Sequence, residues 1–414
     1  MSSVIPPVDW IDSQAQRMLE LVEHWANINS ASDNLEGLGQ MDALLSDAFS
    51  PLGGQMKLID LPPRQIIDSS GQVVQKPLGR ALSISKRPDV ALRVFLGIHM
   101  DTVYGLDQAF QTTQRLGTST LRGPGVADAK SGIVVMLVAL EALERSDVAD
   151  FMGWEVLINP DEELGSPGST PLLIQCAKRN HLGFVFEPTL ADGSLAGQRK
   201  GSGNFTVVVR GRSAHAGREF HLGSNAITAT ADVITQLDAL NGRFEGLTIN
   251  IAQVEGGGPL NMVPELAICR LNVRYDDTEQ EGIVQSKLEE IVRQLDERNS
   301  IRAEWHGGFT APPKPLDEPT LHLLEHVAHC GRDLGINVTW RSTGGVCDGN
   351  RLAAAGLPNV DTMGVRGGNI HSPNEYLLID SLTERAKLAA LLLMKLASGQ
   401  VTWPKKGNTG LMNS

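Results

Sequence analysis

Four cysteines in 414 residues, Cys176, Cys269, Cys330 and Cys347, lie far apart with no CxxC pair. Such spacing argues against a disulfide framework and against a thiolate zinc site, and leaves the four as core residues. A basic surplus is also missing: the formal net charge is -12, and lysine and arginine are scattered along the chain. Nucleic acid or an anionic membrane surface needs a concentrated basic face, so neither is an expected partner. No apolar run is long enough to span a bilayer, and the opening MSSVIPPVDW has no positive region followed by an apolar core. Without a secretory signal or a span, the expected address is cytoplasmic. Internal repeats and low-complexity tracts are absent as well.

What is there is an ordinary globular composition, 41% hydrophobic and 20% charged, in a chain long enough for two domains. Apolar spacing predicts a helix over 11–29 and another near 38–50, followed by strands at MKLID, the ALSISKR region and ALRVFLGIHMDTV. A helix over 131–146, the strand WEVLINP, the helix PLLIQCAKR and the strand GFVFEPT continue the alternation. The expected fold class is therefore α/β, with a mainly parallel sheet and helices on both faces. From about 203 the order becomes βαββαβ: NFTVVVRGR, SNAITATADVITQLDAL, LTINIAQVEG, LAICRLNVRY, GIVQSKLEEIVRQLDER and IRAEWHG. That order describes an inserted ferredoxin-like α+β unit. Beyond the proline-rich APPKPLDEP, a helix over 319–333, the turn STGGVCDGN, the strand LPNVDTMG and a terminal helix resume the first pattern. The tail TWPKKGNTGLMNS has no periodicity and is expected to be disordered.

Polar, ligand-capable loops follow several of the apolar strands. NPDEELGSPGS crowds Asp161, Glu162 and Glu163 with nothing basic nearby. A hydrated turn would explain the triplet, and so would the catalytic edge of an α/β sheet. GIHMDTV sets His99 and Asp101 two apart, so in extended chain one side chain can bind a metal while the other steadies its imidazole. GPGVADAKSG offers Asp128 in a glycine-rich loop before a helix. The rival there is a phosphate cradle, but the GxxxxGK[ST] and GxGxxG spacings are missing, and a carboxylate suits a cation better. Glu187 in FVFEPT is costly in so apolar a run unless it is paired or metal-bound. GGNIHSPNEY adds His371, followed by Glu375.

Two imidazoles and several carboxylates, without a thiolate, suit zinc, or manganese or cobalt, in a hydrolytic role. Two such ions about 3.5 to 4 Å apart on a shared carboxylate would activate water and polarise a carbonyl. A base that is not itself a ligand is then needed, and the acidic triplet can supply both kinds of carboxylate. His24, His181, His221, His306, His322, His326 and His329 read as core or surface groups, the last three near one helical face.

Eight segments occur in the order of a known family: GIHMDTVYG, LRGPGVADAKSG, NPDEELGSPGS, FVFEPT, GRSAHAG with SNAI, NMVP with CRLNVRY, STGGVCDGN, and GGNIHSPNEY. The chain resembles the co-catalytic dinuclear zinc peptidases and deacylases that include glutamate carboxypeptidase, aminoacylase, acetylornithine deacetylase and succinyl-diaminopimelate desuccinylase. By motif wording it is most similar to glutamate carboxypeptidase. The resemblance implies two Zn2+ per subunit, with Co2+ or Mn2+ as substitutes. His99, Asp128 and Glu187 would bind one ion, and Asp128, Glu163 and His371 the other. Glu162 would be the general base and Asp101 the carboxylate that orients His99. His215 would stabilise the oxyanion, typically in the partner subunit's site, so a homodimer is expected. Asn261 and Arg274 would hold a substrate carboxylate, and Gly344 and Gly345 would offer backbone contacts.

The same resemblance implies a catalytic domain of 1–202 and 312–414, an inserted lid and dimerisation domain of 203–311, and a cis peptide at Asp128–Ala129. The expected activity is cleavage of an amide bond in a small substrate with a free carboxylate. A carboxypeptidase and an N-acyl-amino-acid deacylase are both open, and a non-catalytic carboxylate-binding protein on this scaffold is a third reading. Two departures stand out. Ala129 occupies a position where a second acid is common, and HGGFTAPP lacks the arginine of glutamate-specific members.

Overall fold

The computed structural model describes residues 8–403. The expectation for the tail lies almost entirely outside the described residues, which end at Trp403. A six-stranded sheet runs in the order Gln55–Asp60, Arg80–Lys86, Met152–Asn159, Leu92–His99, Leu182–Val185, Asn359–Val360. Met152–Asn159, Leu92–His99, Leu182–Val185 and Asn359–Val360 pair in parallel. The two strands at the other edge are antiparallel. No helix links Gln55–Asp60 to Arg80–Lys86. Without such a crossover an antiparallel return is the arrangement open to the chain.

Alternate residues of the central strands enter two cores, because successive side chains leave opposite faces. Leu96, Ile98, Val156 and Ile158 join the large core built with Lys130–Glu144 and Ser381–Ala397. Phe95 and Leu157 join a smaller one with Leu173, Cys176 and Leu352. Helices therefore cover both faces, and this is why Leu92–His99 and Met152–Asn159 read as unbroken apolar runs. All four cysteines are buried and unpaired, as expected. No helix among the described residues is long and apolar enough to cross a membrane.

The insert is a four-stranded antiparallel sheet in the order Thr248–Gly256, Leu266–Tyr275, Gly201–Arg210, Arg302–Ala311. Helices Ala226–Asp238 and Glu279–Asp296 pack on it around a separate core that includes Val207, Val233, Leu271, Leu288 and Ile291. A hairpin outside the insert, Arg64–Ile67 with Val73–Lys76, brings Ile67 against Val208 and Ile268 of that sheet.

Several elements differ from expectation. STGGVCDGN is not only a turn: Trp340–Thr343 is a strand and Asp348–Ala354 a short helix. The helix is capped by Cys347, whose Sγ accepts from the Gly349 N–H, while Asn350 Oδ1 accepts from the Cys347 N–H. LPNVDTMG shrinks to a two-residue strand, Asn359–Val360. A small sheet made of Gln114–Leu116, Thr120–Arg122, Gly367–Gly368 and Tyr376–Leu378 had no periodic signal.

Candidate metal centre

The parallel strands end on one edge, and their C-terminal loops carry the polar residues, the location where open α/β sheets hold ligands. His99 is the last residue of Leu92–His99, the acidic triplet follows Met152–Asn159, and Glu187 lies two residues beyond Leu182–Val185. His99 Nδ1 lies 2.9 Å from the Asp101 carbonyl and 3.3 Å from Asp101 Oδ1. Its Nε2 faces Asp128 Oδ1 at 3.0 Å and Glu187 Oε2 at 3.6 Å. On the other side, His371 Nε2 lies 3.3 Å from Asp128 Oδ2 and 3.2 Å from Glu163 Oε2. Asp128 thus turns one oxygen to each imidazole. Ligand-type atoms of His99, Asp128 and Glu163 all lie within 4.8 Å of one another.

His371 sits at φ 59°, in the left-handed region that disfavours a residue with a side chain. The Asp128–Ala129 peptide is cis, as the resemblance implied. Asp101 also does more than face His99: its carboxylate accepts the Glu162 and Glu163 N–H groups, each at 3.2 Å, and the Ser32 hydroxyl at 2.7 Å. Asp161, fully buried, accepts from Gly168 N, Ser169 N and Ser169 Oγ, and so fixes the turn rather than entering the site.

Electrostatically the cluster is short of positive charge. Burial and the neighbouring Glu187 push Glu162 well above the usual carboxylate range. Burial, with Asp128 beside it, lifts Glu163 to about 7, and burial raises Glu187 too. Burial opposes ionisation of Asp128, yet His371 and His99 hold it well below the usual range. Likewise burial disfavours a charged His99, and Glu187, Asp101 and Asp128 still hold its imidazole well above its ordinary value. Packed carboxylates flanking two imidazoles, all at low exposure except the half-exposed His371, form a donor set that fits divalent cations. The Glu162 carboxylate makes no hydrogen bond or ion pair among the described residues.

Glu375 is where reading the sequence fell short. It sits beside the ligand-type atoms in sequence, but its carboxylate is turned to the Asp128 loop. Oε1 accepts from Ala127 N at 2.8 Å and Asp128 N at 3.0 Å, and Oε2 from Gly125 N at 3.1 Å and Tyr104 Oη at 2.6 Å. It is fully buried. Nothing in GGNIHSPNEY separates this bracing role from a ligand's.

The remaining predicted residues fall in three places. Arg274 donates from Nε to Asn272 Oδ1 at 2.9 Å, while its Nη1 is buried without a partner. Burial lowers its pKa, and the charge of Glu162 opposes that shift. His215 and Asn261 lie together on the insert, where the Ala216 N–H donates to the Asn261 carbonyl. Among the described residues neither makes a hydrogen bond or ion pair to the metal-centre cluster. His215 Nδ1 accepts from Gly217 N at 3.1 Å and Arg218 N at 3.2 Å, which leaves the ring proton on Nε2. Gly344 and Gly345 are exposed in the loop before Asp348–Ala354.

Residues 95–395 match the sequence profile of Peptidase family M20/M25/M40. The chain belongs to this family. Among M20 relatives, carboxypeptidase G2 of Pseudomonas sp. strain RS-16 is 28% identical over 392 residues, covering 92% of this chain and 90% of that protein. Succinyl-diaminopimelate desuccinylase of Psychrobacter arcticus is 26% identical over 301 residues, covering 69% of this chain and 72% of that protein. A solved M20-like fold, a tripeptidase from Staphylococcus aureus, superposes with a TM-score of 0.72 at 21% identity, covering 93% of this chain and 99% of that one. The resemblance read from the eight motifs holds, and this M20 protein is a hydrolase of amide or peptide bonds.

Proposed function

We propose that the protein is a dinuclear metal amidohydrolase that cleaves an amide bond in a small substrate carrying a free carboxylate, as a carboxypeptidase releasing a C-terminal amino acid such as glutamate. The observation that carries this reading is Asp128 lying between His99 and His371, with Glu187 and Glu163 on either side and Glu162 unengaged. His99, Asp128 and Glu187 would hold one Zn2+, and Asp128, Glu163 and His371 the other, with Co2+ or Mn2+ as substitutes. When bound, such ions acidify the attacking water and polarise the scissile carbonyl.

Glu162 takes the proton from that water and returns it to the leaving amine nitrogen. Burial and the neighbouring Glu187 raise its pKa, which strengthens the carboxylate as a proton acceptor. The unpartnered Nη1 of Arg274 suits a substrate carboxylate, and the exposed Gly344 and Gly345 would offer the substrate backbone contacts. His215 presents Nε2–H as a donor for the developing oxyanion.

Because His215 makes no hydrogen bond or ion pair to the cluster among the described residues, the reading calls for a homodimer whose partner supplies it. Large apolar side chains near His215 and Asn261 support the homodimer: Phe220 is 65% exposed, Leu260 fully exposed and Met262 39% exposed. In this reading the 203–311 insert is the lid and dimerisation domain, 1–202 with 312–414 form the catalytic domain, and the enzyme works in the cytoplasm.

One observation favours a second reading, an N-acyl-amino-acid deacylase. HGGFTAPP supplies no arginine, and the next cation, Lys314, is fully buried against Asp361 rather than open to substrate. A mass-spectrometric screen of the metal-loaded protein over dipeptides and N-acyl amino acids tests both, with Glu162→Ala as the control. Release from only one substrate set decides between them. No hydrolysis in either set refutes the amidohydrolase, and tight binding without turnover would point to a carboxylate-binding protein.

A further inference from the structure

Where the chain enters and leaves the insert, the two crossings are tied together. Arg199 and Lys314 form an antiparallel bridge in which each N–H donates to the other's carbonyl at 3.0 Å. Both side chains then converge on one carboxylate. Arg199 forks onto Asp361 through Nε and Nη2, each at 2.9 Å, and Lys314 Nζ donates to Asp361 Oδ2 at 2.7 Å. One residue further along the entry and two back along the exit, Asn350 Nδ2 donates to the carbonyls of Lys200 at 2.9 Å and Pro312 at 2.8 Å.

The same groups hold the loop before helix Asp348–Ala354. Arg199 Nη1 donates to the Gly345 carbonyl at 3.2 Å, and Asn350 Oδ1 accepts from the Cys347 N–H at 3.2 Å. Asn350, Lys314 and Asp361 are fully buried, and Arg199 is 6% exposed. Asp361 fits against the helix start only because residue 349 is glycine: a Cβ there would lie 2.4 Å from Asp361 Oδ2.

Two buried cations on one carboxylate are an expensive way to hold two strands, since apolar side chains of similar volume serve stability as well or better. What the charged arrangement adds is direction. A planar guanidinium locked on a carboxylate by two N–H groups has its third nitrogen aimed at a set point, and that point is Gly345.

We propose that Arg199, Lys314, Asp361 and Asn350 form a buried pin that holds both crossings of the insert and sets the backbone of Gly344 and Gly345, so that Arg199 and Asn350 are positioning residues for substrate binding. The substrate half of this proposal rests on reading Gly344 and Gly345 as substrate contacts. The pin itself does not.

The test uses Arg199→Lys, which keeps the charge but cannot span Asp361 and Gly345 together, and Asn350→Ser, which is too short to reach both carbonyls. Leu388→Ala, a core substitution in the terminal helix, controls for general loss of stability. Hydrogen exchange read by mass spectrometry should rise at least tenfold at the 344–347 amides in the pin variants and stay unchanged there in Leu388→Ala. Unchanged exchange in whichever pin variant folds overturns the pin, whether or not any substrate is turned over. On a substrate found by the screen, KM should rise about tenfold with kcat within threefold in the pin variants. Raised exchange with a wild-type KM would overturn the positioning role alone, and leave the amidohydrolase reading standing.

Discussion

Replacing Glu375 by glutamine removes one charge and one acceptor from the brace behind Asp128. The Glu375 carboxylate accepts four hydrogen bonds, three from the backbone of Gly125, Ala127 and Asp128 and one from Tyr104. In the better orientation, glutamine keeps its oxygen toward Ala127 and Asp128 and turns its NH2 toward Tyr104 and Gly125. The tyrosine hydroxyl can reverse and accept, but the Gly125 N–H then meets a donor. One buried N–H left unsatisfied costs roughly 1 to 3 kcal/mol, and the two surviving bonds each lose about 1 kcal/mol with the charge.

A total of about 3 to 5 kcal/mol is divided between folding and the position of the Asp128 carboxylate. If a third to a half of it falls on metal binding, about 1 to 2.5 kcal/mol, affinity drops about 5- to 70-fold, which overlaps the range typical of groups that support a ligand. Chelator competition followed by metal analysis measures this directly, and thermal melts with and without added metal report the share that falls on folding. Glu375→Gln with wild-type metal affinity and a wild-type melting temperature would refute the bracing role.

Glu162→Gln should keep its metal content and lose about 10^2- to 10^4-fold in kcat, measured on the best substrate of the screen; near-normal turnover would remove it from the base role. Met262→Asp with Leu260→Lys should shift the proposed homodimer toward monomer in analytical ultracentrifugation and cut kcat in parallel, whereas a fully active monomer would refute delivery of His215 by a partner. Asp361 gives a pH signature. Burial opposes its ionisation, yet Arg199 and Lys314 hold its pKa down at about 2, below an unfolded value of about 3.9. Its contribution of roughly 2 to 3 kcal/mol is therefore present above pH 4 and lost as the pH falls from 4 toward 2. Urea midpoints across that range should fall less steeply in Asp361→Asn, and an identical slope would count against the shift.

The five ligand-type residues were legible because each is an imidazole or carboxylate set in or just after an apolar strand or in a glycine-rich loop, where an unpaired polar group is costly. Their grouping was legible only through the resemblance. Glu375 and Asp101 show the limit: their bracing partners are backbone N–H groups, which carry no residue identity for a sequence to display. Asp361 and Asn350 gave no signal, since a single acid or amide gains meaning only from groups brought to it across the fold, 162 residues away for Arg199. In the fold, the buried parallel strands were plain, while Val73–Lys76 and Gln114–Leu116 are almost wholly exposed and have no apolar alternation to read. The helix Asp348–Ala354 was missed because its cap is a cysteine thiol rather than the usual hydroxyl or carboxylate.

The hairpin of Arg64–Ile67 and Val73–Lys76 bears on how this chain can be recombined. Ile67 packs on Val208 and Ile268, its carbonyl accepts from Arg270 at 2.9 Å, and Arg210 donates to the Gly71 carbonyl at 2.7 Å. A chimera that exchanged 203–311 alone for the equivalent piece of a relative would leave that hairpin facing a foreign surface. The transplantable module is thus larger than the contiguous insert, and includes a segment encoded more than a hundred residues before it.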